Sequence, residues 1–491
     1  MFFWLVFLLN SEIGFGQPVT IRVSDNKKVP FYKAGSYVYR GHIANTIFGE
    51  LLKINKADGQ LIGGHIESFS FKKSTNSYVL SLKKNLKFHN GRKVSIEDLH
   101  FSIARMFLIP ELADEADMLG DIKGAKKVKH NTPYTLSILS GLKITGKYKI
   151  EIYLEAFNPR FLYHLVDSNI PLVPKEELAN DLMTWNKWPI GAGTYKVLSK
   201  STDEASLTLE RGASSVTAPK HIRFTANPKE SFDFSFDNIN SLDNLSNTMS
   251  RSISKRSIGT VNLLFDFTAH LSKNKDFRLA LQMGLDRSKL ASVSPLLEPA
   301  KCLLPQEFPG AKTSPFKYNP TLARQLIMGL SSGKGIELDI PMINMDIRGN
   351  LSPFLSELKK QLTKIGIIPK FYNARDRNDF YFKPENPVKL VTILTEYSDP
   401  WLIFSAFAEG GPNINLYPKN DRDYESLLSM AKKTISLSDQ TPLIRNISKY
   451  YSDLVYSVPI VERKASFLYN KKKNLNFDLD QGFIKFELER R

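Results

Sequence analysis

Residues 86–106 read LKFHNGRKVSIEDLHFSIARM. Two histidines, a Glu-Asp pair and several cations share one short span, so the stretch is either a chemical site or a structural joint. Just upstream, Tyr78, Leu80 and Leu82 alternate with polar residues, the pattern of a half-buried strand. Asn90-Gly91 suits a turn, because both residues tolerate positive φ. Ser95 precedes Ile96-Glu97-Asp98, so its oxygen is placed to accept an orphan amide while Asp98 reaches back, a variant of the capping box. Both acids also sit at the positive end of the helix dipole. Ile96, Leu99, Ile103 and Phe107 then recur at helical spacing. The acids are thus accounted for as helix starters, and His89 and His100 lack a third ligand at metal spacing. The stretch is expected to be a joint: strand, turn, capped helix.

The whole chain has 491 residues, more than one compact core usually holds, so two or three domains are expected. A single cysteine, Cys302, excludes an intramolecular disulfide framework and a cysteine zinc cluster. The formal charge of +17 is spread over scattered lysines, without zinc-finger spacing or a basic region leading into heptads. No nucleic-acid partner is expected. The first residues, MFFWLVFLL, are apolar but too short for the ~20 residues of a membrane span. With Gly14 and Gly16 they fit a signal peptide over 1–16, although no Lys or Arg precedes the apolar run. The mature protein is expected to be exported, periplasmic and soluble, with no lipid-anchor cysteine near the cut.

Further along, strands and helices alternate, which argues α/β. Strands are expected at 149–154, 207–210, 367–372 and 390–394. Helices are expected at 177–185, 276–290, 321–330, 354–365 (ending at Gly366), 424–433 and 443–455. The Ser- and Asn-rich stretch 240–257 suits a loop or an interdomain excursion. There is no P-loop, no GxSxG elbow and no HExxH among the eight histidines. Gly191-Ala-Gly-Thr-Tyr lacks a following helix to present amides to phosphate, so its glycines suit a tight turn beside a strand. No enzyme and no cofactor are expected.

The order of these segments resembles family 5 of the extracellular solute-binding proteins, the binding components of peptide and nickel ABC importers. LKFHNGRKVSIEDLHFSIARM is similar to that family's V-K-F-H-D-G-x-P-h-T-A-E-D-V-x-F-S signature (h apolar), with Asn90 in place of Asp. Ile122-Lys-Gly-Ala, Ser140-Gly-Leu-Lys-Ile, Phe157-Asn-Pro-Arg-Phe-Leu, Val173-Pro-Lys-Glu, Pro189-Ile-Gly-Ala-Gly-Thr-Tyr, Asp276-Phe-Arg-Leu-Ala-Leu and Tyr318-Asn-Pro follow in the family's order. The resemblance implies an α/β, two-lobed periplasmic-binding-protein-like fold, with a ligand cleft between the lobes and an extra subdomain on the first. The expected division is lobe I at 17–43, 171–262 and 456–491, its subdomain at 44–170, and lobe II at 263–455.

ILTEYSDPW, 393–401, resembles the family's cleft segment. Asp399-Pro400 suits a helix start. Glu396 lies past a buried strand, where α/β sheets place ligands. By the resemblance it stands where peptide-binding members carry an aspartate for the peptide amino terminus. One extra methylene shifts that carboxylate by roughly an ångström. Glu396, Tyr397, Trp401 and Asn413 are the candidate ligand-binding residues, Tyr397 and Trp401 as apolar or cation–π walls. The implied partners are a small ligand, an oligopeptide first, and an ABC permease, with the protein a monomer. Nickel chelates, haem, sugars and opines stay open as ligands. So does a sensor or scaffold not coupled to transport. Direct metal ligation is disfavoured, because no His or Cys cluster appears.

Overall fold

The computed structural model describes residues 18–23, 38–55, 60–166, 170–202, 206–212, 219–227, 229–235, 247–311, 314–343, 351–375, 377–381, 383, 385–394, 400–409, 411, 413, 415–434, 437–473, 475–476 and 487–488. The expected signal peptide lies outside them.

Two strands decide the architecture. Met249–Phe265 and Ser457–Asn470 are the longest strands among the described residues and pair antiparallel along their length. They lie at the middle of an 11-stranded sheet. From one edge its order is Ile367–Asn373, Ile336–Ile343, Val388–Leu394, Met249–Phe265, Ser457–Asn470, Phe234–Ser235, Val19–Arg22, His221–Thr225, Ser206–Arg211 and Tyr195–Lys200, with Leu297–Pro299 also on Ser457–Asn470. The half of Met249–Phe265 from Gly259 onward pairs with Val388–Leu394. At the other end of Ser457–Asn470, Leu468 and Tyr469 pair with Phe234–Ser235. Each long strand therefore passes from one lobe into the other. The register between them shifts between Ile253 and Ser257, again between Ser257 and Gly259, and again between Val261 and Asn262. Such irregularities bend and twist a strand pair locally. Gly259 is required at the break: a Cβ there would lie 2.3 Å from the Ile393 carbonyl oxygen.

Apolar side chains form four cores. Ile21, Phe48, Leu209, Ile222, Phe234 and Phe467 belong to the first lobe. Leu80, Leu99, Ile103, Ile150 and Phe161 fill the subdomain under a four-stranded sheet of Ile66–Lys72, Ser77–Leu82, Lys149–Tyr153 and Leu142–Gly146. The second lobe holds two, one around Phe277, Leu338 and Leu390, the other around Phe404, Tyr424 and Tyr451.

The stretch 86–106 is a joint between the first two cores. Its helix Ile96–Ala104 starts on the capping box: the Asp98 amide donates to Ser95 Oγ at 3.4 Å, and the Ser95 amide to Asp98 Oδ2 at 2.7 Å. Ile96, Leu99 and Ile103 enter the subdomain core, whereas Phe101 enters the lobe core. Ser102 Oγ accepts from the buried Val173 amide at 3.0 Å, and Arg105 Nη1 donates to the Leu182 carbonyl at 2.9 Å. One short helix is thereby buried on faces that belong to different cores.

Three sequence expectations are corrected. Residues 177–185 form no helix: Ala179 N–H donates to Thr184 O, Asn186 N–H to Glu177 O, and Leu182 is left-handed at φ +57°. The Asp181 carboxylate accepts from the Met183 and Thr184 amides at 2.9 and 2.8 Å, a local alternative to helical bonding that short acidic side chains favour. The helix expected at 276–290 is broken in two, Lys275–Gly284 and Arg287–Ala291, because Leu285 is extended and Asp286 caps the second piece through the Lys289 amide. Residues 249–257, for which a loop or an interdomain excursion was expected, are not loop but part of the strand that crosses between the lobes. Their serines serve the irregular pairing: Ser254 Oγ accepts from the Ala465 amide at 3.0 Å. Residues 240–246 lie outside the described residues.

Candidate ligand cleft

Two polar clusters lie where the lobes meet. The first is at the break in the crossing strands. Glu462 is 1% exposed on Ser457–Asn470, within a β-branched run that packs tightly on its neighbours. Its Oε2 accepts from Ser257 Oγ at 3.1 Å and from the Gln306 amide at 3.3 Å, while Oε1 has no hydrogen-bond partner among the described residues. Burial, with Glu307 and Glu298 nearby, pushes its pKa from 4.5 up to about 7. The Glu307 carboxylate accepts the Ser257 amide, so residues 306–307 of the second lobe clamp the irregular strand. Next along, buried Arg463 donates through Nη1 to Thr392 Oγ1 at 3.0 Å.

The second cluster joins the subdomain to the second lobe. Asn158 precedes Pro159, and its Oδ1 accepts from the Arg160 amide at 2.9 Å, which turns the chain and aims Arg160 inward. Arg160 is 1% exposed and Gln440 fully buried, and Arg160 Nη2 donates to Gln440 Oε1 at 2.6 Å. Gln440 Nε2 donates in turn to the Ala431 carbonyl at 3.3 Å. Asp121 Oδ2 accepts from Asn158 Nδ2 at 2.5 Å and lies 3.9 Å from Lys432 Nζ. Between these charges His164 is buried, with no hydrogen-bond partner for Nδ1 among the described residues. Burial holds its pKa down at about 4, Lys432 acting in the same direction and Asp121 against it, so the ring is neutral.

Of the residues singled out from sequence, Glu396 and Tyr397 lie outside the described residues, as does Asp399. The strand leading to them ends at Leu394, which pairs with Gly259 at the break, and the helix after them is Pro400–Ser405. Trp401 is half-buried on that helix. Its indole N–H donates to the Leu428 carbonyl at 2.9 Å, and Lys432 Nζ lies 5.5 Å from its ring centroid. Lys432 thus lies near both Trp401 and Asp121 of the subdomain. Asn413 closes a turn: Nδ2 donates to the Ala406 carbonyl at 2.9 Å, and its own carbonyl accepts from Leu416 N–H at 3.0 Å. Sequence reasoning missed Arg160, His164, Gln440 and Glu462. The available signals were an Asn-Pro-Arg turn before an apolar run, and the triplet Glu462-Arg463-Lys464 inside a β-branched strand. Among the described residues no group of three or more His, Cys, Asp or Glu is placed to hold a metal ion.

The description "Bacterial extracellular solute-binding proteins, family 5 Middle" matches residues 60–414. The chain belongs to this family. Family 5 proteins are binding proteins, not enzymes, and the two-lobed α/β fold recurs in solved structures along nearly their whole length. The murein tripeptide binding protein MppA of Escherichia coli superposes with a TM-score of 0.72 at 16% identity, over 96% of this chain and 99% of that one. A dipeptide binding protein of Pseudoalteromonas sp. SM9913, in complex with Met-Leu, gives 0.75 at 14%, over 96% and 99%. NikA of Brucella suis, in complex with Fe(III)-EDTA, gives 0.76 at 14%, over 95% and 98%. A different relative is the HTH-type transcriptional regulator SgrR of Escherichia coli, 26% identical over 171 residues. That match takes in 34% of this chain and 25% of the regulator, so the chain spans about a quarter of the length of this curated relative.

Proposed function

We propose that this family 5 protein captures a small solute, an oligopeptide in the first instance, between its lobes by hinge closure and hands it to the membrane subunits of an ABC importer. It acts in the periplasm as a monomer, exported by a signal peptide over 1–16. The observation that carries the reading is the pair of long strands shared by both lobes, whose pairing register is interrupted between Ile253 and Gly259, a place for the pair to bend. The proposed lobe division, 17–43, 171–262 and 456–491 with the subdomain at 44–170 and the second lobe at 263–455, follows the apolar cores in outline, while Ile47 and Phe48 join the first-lobe core and Val458, Ile460 and Val461 the second-lobe core. The ligand ammonium is assigned to Glu396, with Tyr397, Trp401 and Asn413 around it. Closure requires contacts that favour the closed state, drawn from both sides of the cleft.

The test is a thermal-shift screen of the purified protein against pooled di- to pentapeptides, with sugars and chelated metals as comparison pools. A ligand at about a hundredfold over its Kd adds roughly 2.7 kcal/mol, about 3 °C for a chain of this length. A peptide shift lost on acetylating the peptide amino terminus, and lost in Glu396→Gln, is expected. A shift with another pool and none with peptides would remove the peptide assignment.

The match to a transcriptional regulator favours a second reading, a solute-sensing module that is not coupled to a permease. Reconstituted uptake with candidate permease subunits separates the two: transport requires the first reading, and ligand binding without transport supports the second.

A further inference from the structure

We propose that Arg160 and Gln440, assisted by Asp121 and Lys432, form a polar latch across the cleft that sets the ratio of open to closed molecules before any ligand binds. The inference rests on the hinge reading above and deepens it by naming residues that tune closure. Arg160 moves with the first lobe, because its subdomain is tied there at several points. Phe101 of the helix Ile96–Ala104 enters the first-lobe core, Arg105 Nη1 donates to the Leu182 carbonyl at 2.9 Å, and the buried Ser102–Val173 bond joins the two cores. Gln440 belongs to the helix Leu437–Asp453 of the second lobe. Among the described residues no partly buried apolar side chain packs on both cores flanking the latch, whereas Tyr134 and Leu182 pack on both the subdomain and the first-lobe core. The apolar interior therefore does not run through from one side to the other, and the polar contacts carry the junction.

Position gives the latch leverage. Gln440 is near the start of a helix whose far end leads into the crossing strand Ser457–Asn470. At ~1.5 Å per residue it lies roughly 20 Å from that end, so a small rotation at the hinge separates the pair. Separation breaks a hydrogen bond to a guanidinium and leaves the buried Gln440 oxygen to be resolvated, and bonds to charged groups are the stronger kind. The Asp121–Lys432 pair is one-third exposed on both sides, so it adds direction more than energy. Lys432 also lies over Trp401, which couples the latch to the helix that follows the candidate ligand segment.

The test uses the ligand-free full chain, with spin labels at Lys126 and Lys360, exposed positions on the subdomain and the second lobe, after replacement of each by cysteine. The native Cys302 is buried. Gln440→Leu and Arg160→Met are expected to raise the open-to-closed ratio by about tenfold, the size of one hydrogen bond to a charged group. Gln440→Glu converts the contact into an ion pair and is expected to lower the ratio. Lys432→Met moves it in the direction of Gln440→Leu, by less, and stands in if Arg160→Met does not fold. Variants that melt cooperatively with an unchanged distance distribution overturn the latch. Wild-type closure by a ligand from the screen, with variants unchanged, overturns the latch alone. Opening in the variants, with no small solute moving the wild-type distance, upholds the latch and overturns the capture reading.

Discussion

Nε2 of His89 donates to the carbonyl oxygen of Gly193 at 3.0 Å, while its Nδ1 accepts from the Gly191 N–H at 3.4 Å. The two bonds fix one neutral tautomer, since Nδ1 is the acceptor and Nε2 carries the proton. They pin the 86–106 stretch to the Gly191–Tyr195 turn, whose glycines let it sit against the backbone at Ile47: a Cβ on Gly193 would lie 2.6 Å from the Ile47 carbonyl oxygen. His89→Ala orphans a donor and an acceptor at that junction, so urea unfolding should show a loss of about 1–3 kcal/mol. Burial lowers the His89 pKa. A depressed folded pKa means the contribution is complete above the unfolded value of about 6.5 and is lost as pH falls through the folded one. His89→Gln is therefore expected to flatten the acid-side decline in stability relative to the wild type.

Asp266 and Lys389 form a fully buried ion pair at 3.3 Å, next to the end of the crossing strand Met249–Phe265. Asp266 Oδ1 also accepts from the Thr268 amide at 3.0 Å, and Lys389 Nζ donates to the Asn386 carbonyl at 3.3 Å. Burial lowers the Lys389 pKa, and Asp266 opposes the shift. Asp266→Asn leaves a buried cation without its counter-charge and should destabilise the chain by about 3–5 kcal/mol, whereas replacing both residues with apolar ones of similar volume should cost far less. Chemical denaturation of the single and double variants checks the difference.

What was legible in sequence was local. The turn at Asn90-Gly91, the Ser95 cap and the stripe Ile96-Leu99-Ile103 are each decided within a few residues, and each is present. The errors fell where a distant partner or a side-chain competitor decided the outcome. Ser250 and Ser252 look loop-like alone, yet pair with Tyr469 and Phe467 of a strand two hundred residues on. Asp181 draws its carboxylate onto nearby amides and unmakes a helix. Arg160 and Gln440 are 280 residues apart, and no periodicity joins them. Asp399-Pro400 marks a helix start in sequence and the helix begins at Pro400, but nothing local announces the bonds of Trp401 to Leu428 and of Asn413 to Ala406.

Asp98 has two tasks. Its Oδ2 accepts the Ser95 amide, and both oxygens accept from Arg92 at 2.7 and 3.0 Å. Ser95→Ala removes the bond from the Asp98 amide and the hydroxyl's own bond to Asp98 Oδ2 at 3.0 Å, keeps the Ser95 amide bond, and should cost about 1 kcal/mol. Asp98→Ala removes the returning bond and the bidentate pair together and should cost more, with Arg92→Ala accounting for part of the difference. A double-mutant cycle on Arg92 and Asp98 measures that coupling, and a coupling near zero would mean the half-exposed guanidinium contributes nothing.

Glu462 makes the hinge region sensitive to pH. With its pKa pushed up to about 7, the folded chain holds a proton that the unfolded chain releases near 4.5. A raised folded pKa gives stability that is fully present below the unfolded value and is lost as pH rises through the folded one, amounting to roughly 3 kcal/mol across the window from about 4.5 to 7. Glu307, whose carboxylate holds the Ser257 amide, and Glu298, paired with Lys464, are the charged groups around it. Glu462→Gln copies the protonated form. It should match the wild type at pH 4 and exceed it progressively up to pH 8, by no more than that amount. A constant difference at every pH would mean that the carboxyl titrates alike in the folded and unfolded chains, so that it is charged at neutral pH and the break in the crossing strands tolerates that charge.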